Sequence, residues 1–368
     1  MDKKFRNVII IDGSYLIQRG LHVPNLWELR NKNGERSGGI FQFLRSLNYL
    51  CKNKNYYPVV TWDSGLSNRR LSVYPRYKNN HLRVADRILH SSDSIDEVMN
   101  KITNTYTDRD MITEMMDSIN EALKNSNIDK ANRYDHDDFR SQYRRQRDLL
   151  ITILSYLGIP SIKINGWEGD DLMVLLTRLS ERSIVVTDDK DLIQLISPTI
   201  DILRPMNDKY LVYMDYLTTN GYKSSRQIAM IKSIVGDPSD SIPSVTSGLA
   251  RKYRVGYKRA VEISGIIIDS NEDEDVYCKK LTEIGKNPYL GFVYRLNDYK
   301  RNMQLVDLSL VENDTDVVNS IIYEVSRTAG KCNLLKAMKS LSEQDISDFD
   351  TSSIIAKNLV LGSNLIIR

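Results

Sequence analysis

The sequence predicts an α/β fold built on a parallel sheet, and three observations lead there. Through the first half, apolar runs of strand length alternate with helically spaced apolar stripes. Acidic residues fall where those runs end. From Ser224 onward the pattern becomes helical with basic turns.

The elements follow in order. Residues 8–11 form a buried-strand run that Asp12 closes, and Ile40, Phe41, Leu44, Leu47 and Leu50 follow at helical spacing. Residues 58–62 form a second strand, closed by Asp63. Residues 86–137 break the rhythm, where the stripes Ile95, Val98, Met99, Ile102 and Met111, Ile112, Met115, Ile119, Leu123 predict an insertion of two helices. A helix over 140–157 carries Leu149, Leu150, Ile153, Leu154 and Leu157 on one face. Strands over 159–164 and 183–187 flank a helix over 169–179. Residues 311–368 contain helix-like stretches at 317–325 and 334–341 but no readable motif.

Composition narrows the class. With 41% hydrophobic and 27% charged residues, the chain has the make-up of a soluble globular protein, and 368 residues allow two to three sub-domains. A formal charge of +3 neither demands nor excludes nucleic acid, because a local basic face matters more than the total. Cys51, Cys278 and Cys332 have no paired spacing and only four histidines are present, which argues against a disulfide framework or a zinc site. The N-terminus lacks a signal-peptide pattern and no apolar run approaches membrane-spanning length, so a cytoplasmic protein with no membrane partner is expected.

The acids carry the functional signal. Asp12 and Asp63 each follow a strand. Glu168, Asp170 and Asp171 in GWEGDDLM lie between a strand and its helix, and Asp189 and Asp191 in VVTDDKDLIQL do the same. In an open parallel sheet, sites form at the carboxyl ends of the strands, so four strand ends deliver carboxylates to one edge. GDPSDSIP adds Asp237 and Asp240, three apart. A single Asp there is ordinarily a helix cap, and Asp188 fits that role; acids at every strand exit exceed what capping needs. Crowded carboxylates repel unless cations neutralise them, and an all-oxygen set suits Mg²⁺, with Mn²⁺ as a substitute. Two such ions can activate water and stabilise the leaving oxygen in phosphodiester cleavage.

On these residues the chain resembles the 5′-nuclease family: phage 5′-exonucleases and phage RNase H, the 5′-nuclease domain of bacterial DNA polymerase I, and flap endonucleases. IIIDGSYLIQR, TWDSGLSNRR, YPRYKNN, GWEGDDLM, VTDDKDLIQL, GDPSDSIPSV and RNMQLVDL run in the family's order over roughly residues 5–310. The resemblance implies a PIN-like core over 1–223 with a helical arch at about 66–147. It also implies a helix-hairpin-helix-like region over 224–310, followed by a helical extension over 311–368. It makes Asp12, Asp63, Glu168, Asp170, Asp171, Asp189, Asp191, Asp237 and Asp240 the acids for two Mg²⁺ ions, with Asp12, Asp63, Glu168, Asp170 and Asp189 most directly tied to catalysis. Lys78 corresponds to a lysine that stabilises the scissile phosphate. Tyr77 is placed to stack on a terminal base, and Arg69 and Arg70 to meet DNA.

The chain departs from the family pattern in three places. His81 stands where an arginine is common, with Arg83, or Arg144 and Arg145 on the returning helix, as candidates to compensate. SGLARKYR is spliced into the glycine hairpin before VGYKRA. The splice interrupts the pattern that would hold a K⁺ ion but leaves Arg251, Lys252, Arg254, Lys258 and Arg259 for duplex phosphates. The insertion at 86–137 is acidic, which predicts a cap or support beside the arch.

The expected function is a metal-dependent 5′-3′ exonuclease or flap endonuclease of replication, primer removal or repair. It would act as a monomer on 5′-flaps, duplex 5′ ends or RNA–DNA hybrids, with a single-stranded-DNA-binding protein as a candidate partner. The phage-like affinity suggests a virus-encoded enzyme in the host cytoplasm. A PIN-type ribonuclease is the same-fold alternative, although a minimal PIN domain lacks the arch and the GDPSDSIP region. A non-catalytic scaffold predicts lost acids, and none is lost. A nucleotide-binding enzyme would want a phosphate loop where DGSYLIQRG stands.

Overall fold

The computed structural model describes residues 2–52, 55–78, 130–206, 209–347 and 349–367. The two inserted helices expected within 86–137, their role as a cap, and the expectations for His81 and Arg83 lie outside the described residues.

Among the described residues, six strands form one sheet: β1 (Phe5–Asp12), β2 (Tyr57–Thr61), β3 (Ser161–Ile162), β4 (Ser180–Val186), β5 (Ile200–Arg204) and β6 (Lys209–Leu211). Their order is β3-β2-β1-β4-β5-β6, parallel throughout except for the antiparallel β5–β6 pair. Val8 to Ile11 on β1 are all fully buried, as a strand covered on both faces requires. Ile9 and Ile11 enter one core and Val8 and Ile10 the other, following the two-residue period.

Helices α1 (Gly13–Leu21), α2 (Pro24–Trp27), α3 (Gly38–Lys52) and α4 (Asn68–Val73) belong to the first part of the chain, and α5 (Lys130–Tyr156) and α6 (Gly169–Leu179) follow. Residues of α1, α3 and α5 build the Ile9/Ile11 core, and α6 builds the other. Gly13 lets α1 start directly against β2: a Cβ there would lie 2.7–2.8 Å from Val60, the Thr61 carbonyl and Trp62. The strand expected over 159–164 shortens to Ser161–Ile162. Beyond it the chain bends to bond with the loop after β2, Gly166 N–H donating to Ser64 O at 3.0 Å and Ser64 N–H to Trp167 O at 3.3 Å. That bend brings Glu168 toward Asp63.

After β6 come α7 (Tyr213–Asn220), α8 (Arg226–Val235), α9 (Tyr257–Ile268), α10 (Glu274–Ile284), α11 (Asn287–Tyr294) and α12 (Leu296–Val306). Met230, Ile234, Ile263, Ile267, Leu281, Phe292 and Tyr299 give α8–α12 a core of their own. Between α8 and α9 the chain makes two 3₁₀ turns, Pro238–Asp240 and Arg251–Tyr253. Buried Asn302 on α12 secures this connection, donating to Ser233 O at 2.9 Å and to Pro243 O at 2.8 Å.

The C-terminal segment packs on both faces of the sheet. Val317, Ile321 and Val325 of α13 (Thr315–Thr328) join the α6 side. Ala337 and Leu341 of α14 (Leu334–Glu343), with Ile354 and Ile355 of α15 (Thr351–Ser363), join the α1 side. Arg6 N–H donates to Leu365 O at 2.9 Å beside β1. Among the described residues, no helix is long and apolar enough to cross a membrane.

Candidate metal centre

The carboxyl ends of β1, β2 and β4 meet the start of α6, and short polar contacts bind them together. Asp12 caps α1, its Oδ1 accepting from Tyr15 N–H at 2.9 Å, while Oδ2 accepts from the Thr187 hydroxyl at 3.3 Å. Thr187 in turn accepts from Asp189 N–H at 3.0 Å. Asp63 Oδ1 accepts from Gly169 N–H at 2.7 Å, and Asp63 N–H donates to Ser14 Oγ at 3.1 Å. Burial first, then the charges of Asp63 and Asp189, push Asp12 up to about 7. Asp170 is raised well above the ordinary carboxylate value by burial and by Asp189, Asp12 and Asp63. These four acids therefore form one mutually repelling group.

A second group adjoins it through Asp189, whose Oδ1 accepts from Asp191 N–H at 2.8 Å. Oxygens of Asp191, Asp237 and Asp240 all lie within 4.8 Å of one another. Asp237 caps the Pro238–Asp240 turn, which sets Asp240 beside it. Lys232, on α8, reaches into this group: its Nζ donates to Asp191 and lies 2.5 Å from Asp237 Oδ2. Burial moves Asp191 up to about 6 despite Lys232. Asp237 instead falls below its ordinary value, since Lys232 and Ser239 outweigh its burial.

Glu168 is tied to the second group through Lys78. Its carboxylate accepts from Lys78 Nζ at 3.0 Å, Arg70 at 3.1 Å and the Tyr77 hydroxyl at 3.1 Å. Burial raises it, but Lys78 and Arg70 hold it below the ordinary glutamate value. Lys78 Nζ also lies 4.0 Å from Asp240, and its backbone N–H donates to Asp240 O at 2.8 Å. Lys78 thus joins Glu168 to the second group.

Three placements correct the sequence reading. Arg70 is 3% exposed and forks onto Asp171 at 2.8 and 2.9 Å, so its guanidinium has no free face for a DNA phosphate. Asp171, equally buried, has both carboxylate oxygens engaged by that fork, which it shares with Glu168. Tyr77 is 2% exposed and packs with Ala229, Ile242, Leu305 and Val306, which leaves its ring no face for a terminal base. All three join the sheet to the helical region internally.

The remaining basic residues divide by exposure. Arg251, Lys252, Arg254 and Lys258 are exposed around the second 3₁₀ turn and the start of α9, and Arg259 is half-buried against Glu262 and Tyr289. Arg144 is exposed on α5, while Arg145 is bonded to Glu35 at 3.0 Å and to the Arg36 carbonyl. Arg69 is half-buried and donates to Gln304 O. The sequence reading did not single out Lys232, Ser14 or Thr187. For Lys232 a signal existed: it is the lone charge within the apolar run IAMIKSIV directly before GDPSD.

An all-oxygen donor set with so few neutralising cations fits hard divalent ions. Asp191, Asp237 and Asp240 have the spacing to hold one, and Asp12, Asp63, Asp170 and Asp189 have the excess charge to hold another.

Comparison with known proteins agrees with this architecture. Residues 7–112 and 116–223, more than half of the chain, match the 5′-3′ exonuclease, N-terminal resolvase-like domain. DNA polymerase I of Borreliella burgdorferi is 23% identical over 352 residues, covering 92% of this chain, and the chain spans about a third (32%) of that protein's length. A 5′-3′ exonuclease of Aquifex aeolicus is 23% identical over 263 residues, covering 70% of this chain and 68% of the relative. Among solved structures, the T5 D15 protein co-crystallised with metal ions aligns over 97% of this chain and 100% of its own, with a TM-score of 0.54 at 18% identity. Flap endonuclease-1 from Methanococcus jannaschii aligns over 98% and 94%, with a TM-score of 0.50 at 15% identity. Sheet order, acid placement and matched segment converge, and the chain belongs to the 5′-3′ exonuclease family of nucleases.

Proposed function

We propose that this protein is a divalent-metal-dependent 5′-nuclease that hydrolyses phosphodiesters near the 5′ end of a DNA strand, on flaps or duplex ends, with RNA–DNA hybrids as a further substrate. The observation that carries the reading is the convergence of two adjacent carboxylate groups at one sheet edge. Asp12, Asp63, Asp170 and Asp189 would hold one Mg²⁺ or Mn²⁺ ion, and Asp191, Asp237 and Asp240 a second. Bound divalent ions supply charge neutralisation and a water acidic enough to attack phosphorus.

The chain's own residues do the rest. Gly169 N–H and the Thr187 hydroxyl fix the carboxylates of Asp63 and Asp12, while Ser14 and Thr187 accept from the backbone N–H groups of Asp63 and Asp189. Lys78 keeps a positive charge between Glu168 and Asp240, where it can meet a phosphate oxygen. The exposed Arg251, Lys252, Arg254 and Lys258 give the helical region phosphate contacts that position a duplex. The work is organised as a nuclease core over 1–223, a DNA-holding region over 224–310 and a bracing segment over 311–368. We place it in replication, primer removal or repair, in the cytoplasm.

The test is cleavage of an internally labelled 5′-flap duplex in Mg²⁺ or EDTA by the wild type and Asp170→Ala. Metal-dependent cutting near the junction, lost in a folded variant, is expected. Tight binding without cutting of flap, nicked duplex or hybrid would favour a scaffold, and cutting of RNA alone a PIN-type ribonuclease.

A further inference from the structure

On one side the sheet ends at β3, and that edge is open. Pro160 and Ile162 turn their carbonyls toward β2, accepting from Val60 N–H at 3.0 Å and Trp62 N–H at 2.9 Å. Backbone groups alternate along a strand, so the N–H and C=O of Ser161 and Lys163 point away from the sheet. Among the described residues, none of those four groups has a hydrogen-bond partner. They form a short row of donors and acceptors that a further strand would match.

The edge also has a wall beside it. A groove of about 460 Å³ lies between residues 161–164 and α13, where Asn319, Ser320, Tyr323 and Glu324 line it. Ile162 and Ile164 belong to the core that α13 helps to build, so the side chains of Ser161 and Lys163 lie on the opposite face. Tyr323 is 67% exposed, which leaves an aromatic ring open at the groove. Glu324 is engaged by Arg327 at 2.6 Å and by the Thr328 hydroxyl at 3.1 Å. Lys163 is exposed and has no ion pair among the described residues, so the unmatched charge at the groove is positive. A short strand and one lysine are enough to shield an edge from stray pairing; a lined groove alongside exceeds that need.

We propose that the outer edge of β3 takes up an extended segment of a partner protein as an added strand. The segment's main chain would bond to Ser161 and Lys163. Its side chains would alternate, acidic ones toward Lys163 and apolar ones toward Ile164 and Tyr323. Neither Ser161 nor Lys163 belongs to the acid centre, so the docking edge stands apart from the nuclease reading.

The test selects binders to the full chain from a phage-displayed library of random peptides and measures the synthesised peptides by fluorescence anisotropy. Selected sequences should be poor in proline and alternate acidic with apolar residues. Bound peptide should slow backbone hydrogen exchange at residues 161–164, read by mass spectrometry. Lys163→Pro removes one outward N–H and keeps the bonds to β2, a change that an edge strand tolerates. It should weaken binding about tenfold or more. Lys163→Glu, which leaves the backbone intact, should turn the preference from acidic to basic peptides, and thermal unfolding checks that both variants fold. Peptides that leave 161–164 unprotected and bind both variants as tightly as the wild type would overturn the docking edge. A library that yields no binder would do the same, leaving Lys163 as the guard of an unused edge.

Discussion

Replacing Arg70 by Gln tests whether that residue holds the fold or the substrate. Arg70 and Asp171 have side chains 3% and 2% exposed, joined by two hydrogen bonds of 2.8 and 2.9 Å, and Arg70 also donates to Leu305 O at 2.9 Å. Glu168 would keep Lys78, Tyr77 and Ser67 after the change, but Asp171 would lose the guanidinium that neutralises it. One uncompensated buried carboxylate costs about 3–5 kcal/mol, a large part of the roughly 5–15 kcal/mol that holds a domain folded. Urea unfolding should therefore show the unfolding free energy lowered by that amount. Arg70→Met combined with Asp171→Leu should recover much of it, because a pair replaced by apolar side chains leaves no orphan charge. A phosphate contact would behave differently, leaving stability intact and reducing the salt slope of DNA binding by about 0.9. Stability changed by less than about 1 kcal/mol, with that shallower slope, would refute the internal role.

Three further outcomes follow from other sites. Lys232→Met removes the cation shared by Asp191 and Asp237, so Mn²⁺ affinity measured by calorimetry should rise about tenfold or more; unchanged affinity would separate Lys232 from ion binding. Asp12, raised to about 7, keeps its proton in the folded chain where an unfolded aspartate has lost it. Metal-free stability should therefore fall as pH rises from about 4 to about 7, and saturating Mg²⁺ should flatten that fall; thermal unfolding in EDTA and in Mg²⁺ reads both. Truncation after Leu310 strips apolar cover from both faces of the sheet, and cooperative unfolding by calorimetry should be lost.

Much of the fold was legible in the sequence because burial on both faces leaves an unbroken apolar run, as in VIII of β1. The helix over 169–179 was legible to the residue, its start marked by acids and its apolar face by LMVLL and Leu179. Strand β6 was not, since KYL is short, partly exposed and paired only at an edge. The metal acids were readable as a set because each sits at a chain position that topology alone carries to one edge. Arg70 and Tyr77 were misread for the opposite reason. A buried charge looks like a surface charge in one dimension, and only the fold shows that Asp171 lies opposite. The support given by residues 311–368 was equally hidden, since packing against two different faces produces no local motif.

Lys78 has a consequence of its own. Its backbone lies at φ +51°, the left-handed region that costs a side-chain-bearing residue about 1–2 kcal/mol, and its N–H and Nζ both face Asp240. The residue leading into 79–129 is therefore latched to the acids of the second group. A ligand that drew its ammonium away would leave Glu168 to Arg70 and Tyr77 but would remove a positive charge from beside Asp240, which would strengthen the second group's hold on a cation. Linkage would make the relation mutual: cation binding at the second group would loosen the latch by the same factor.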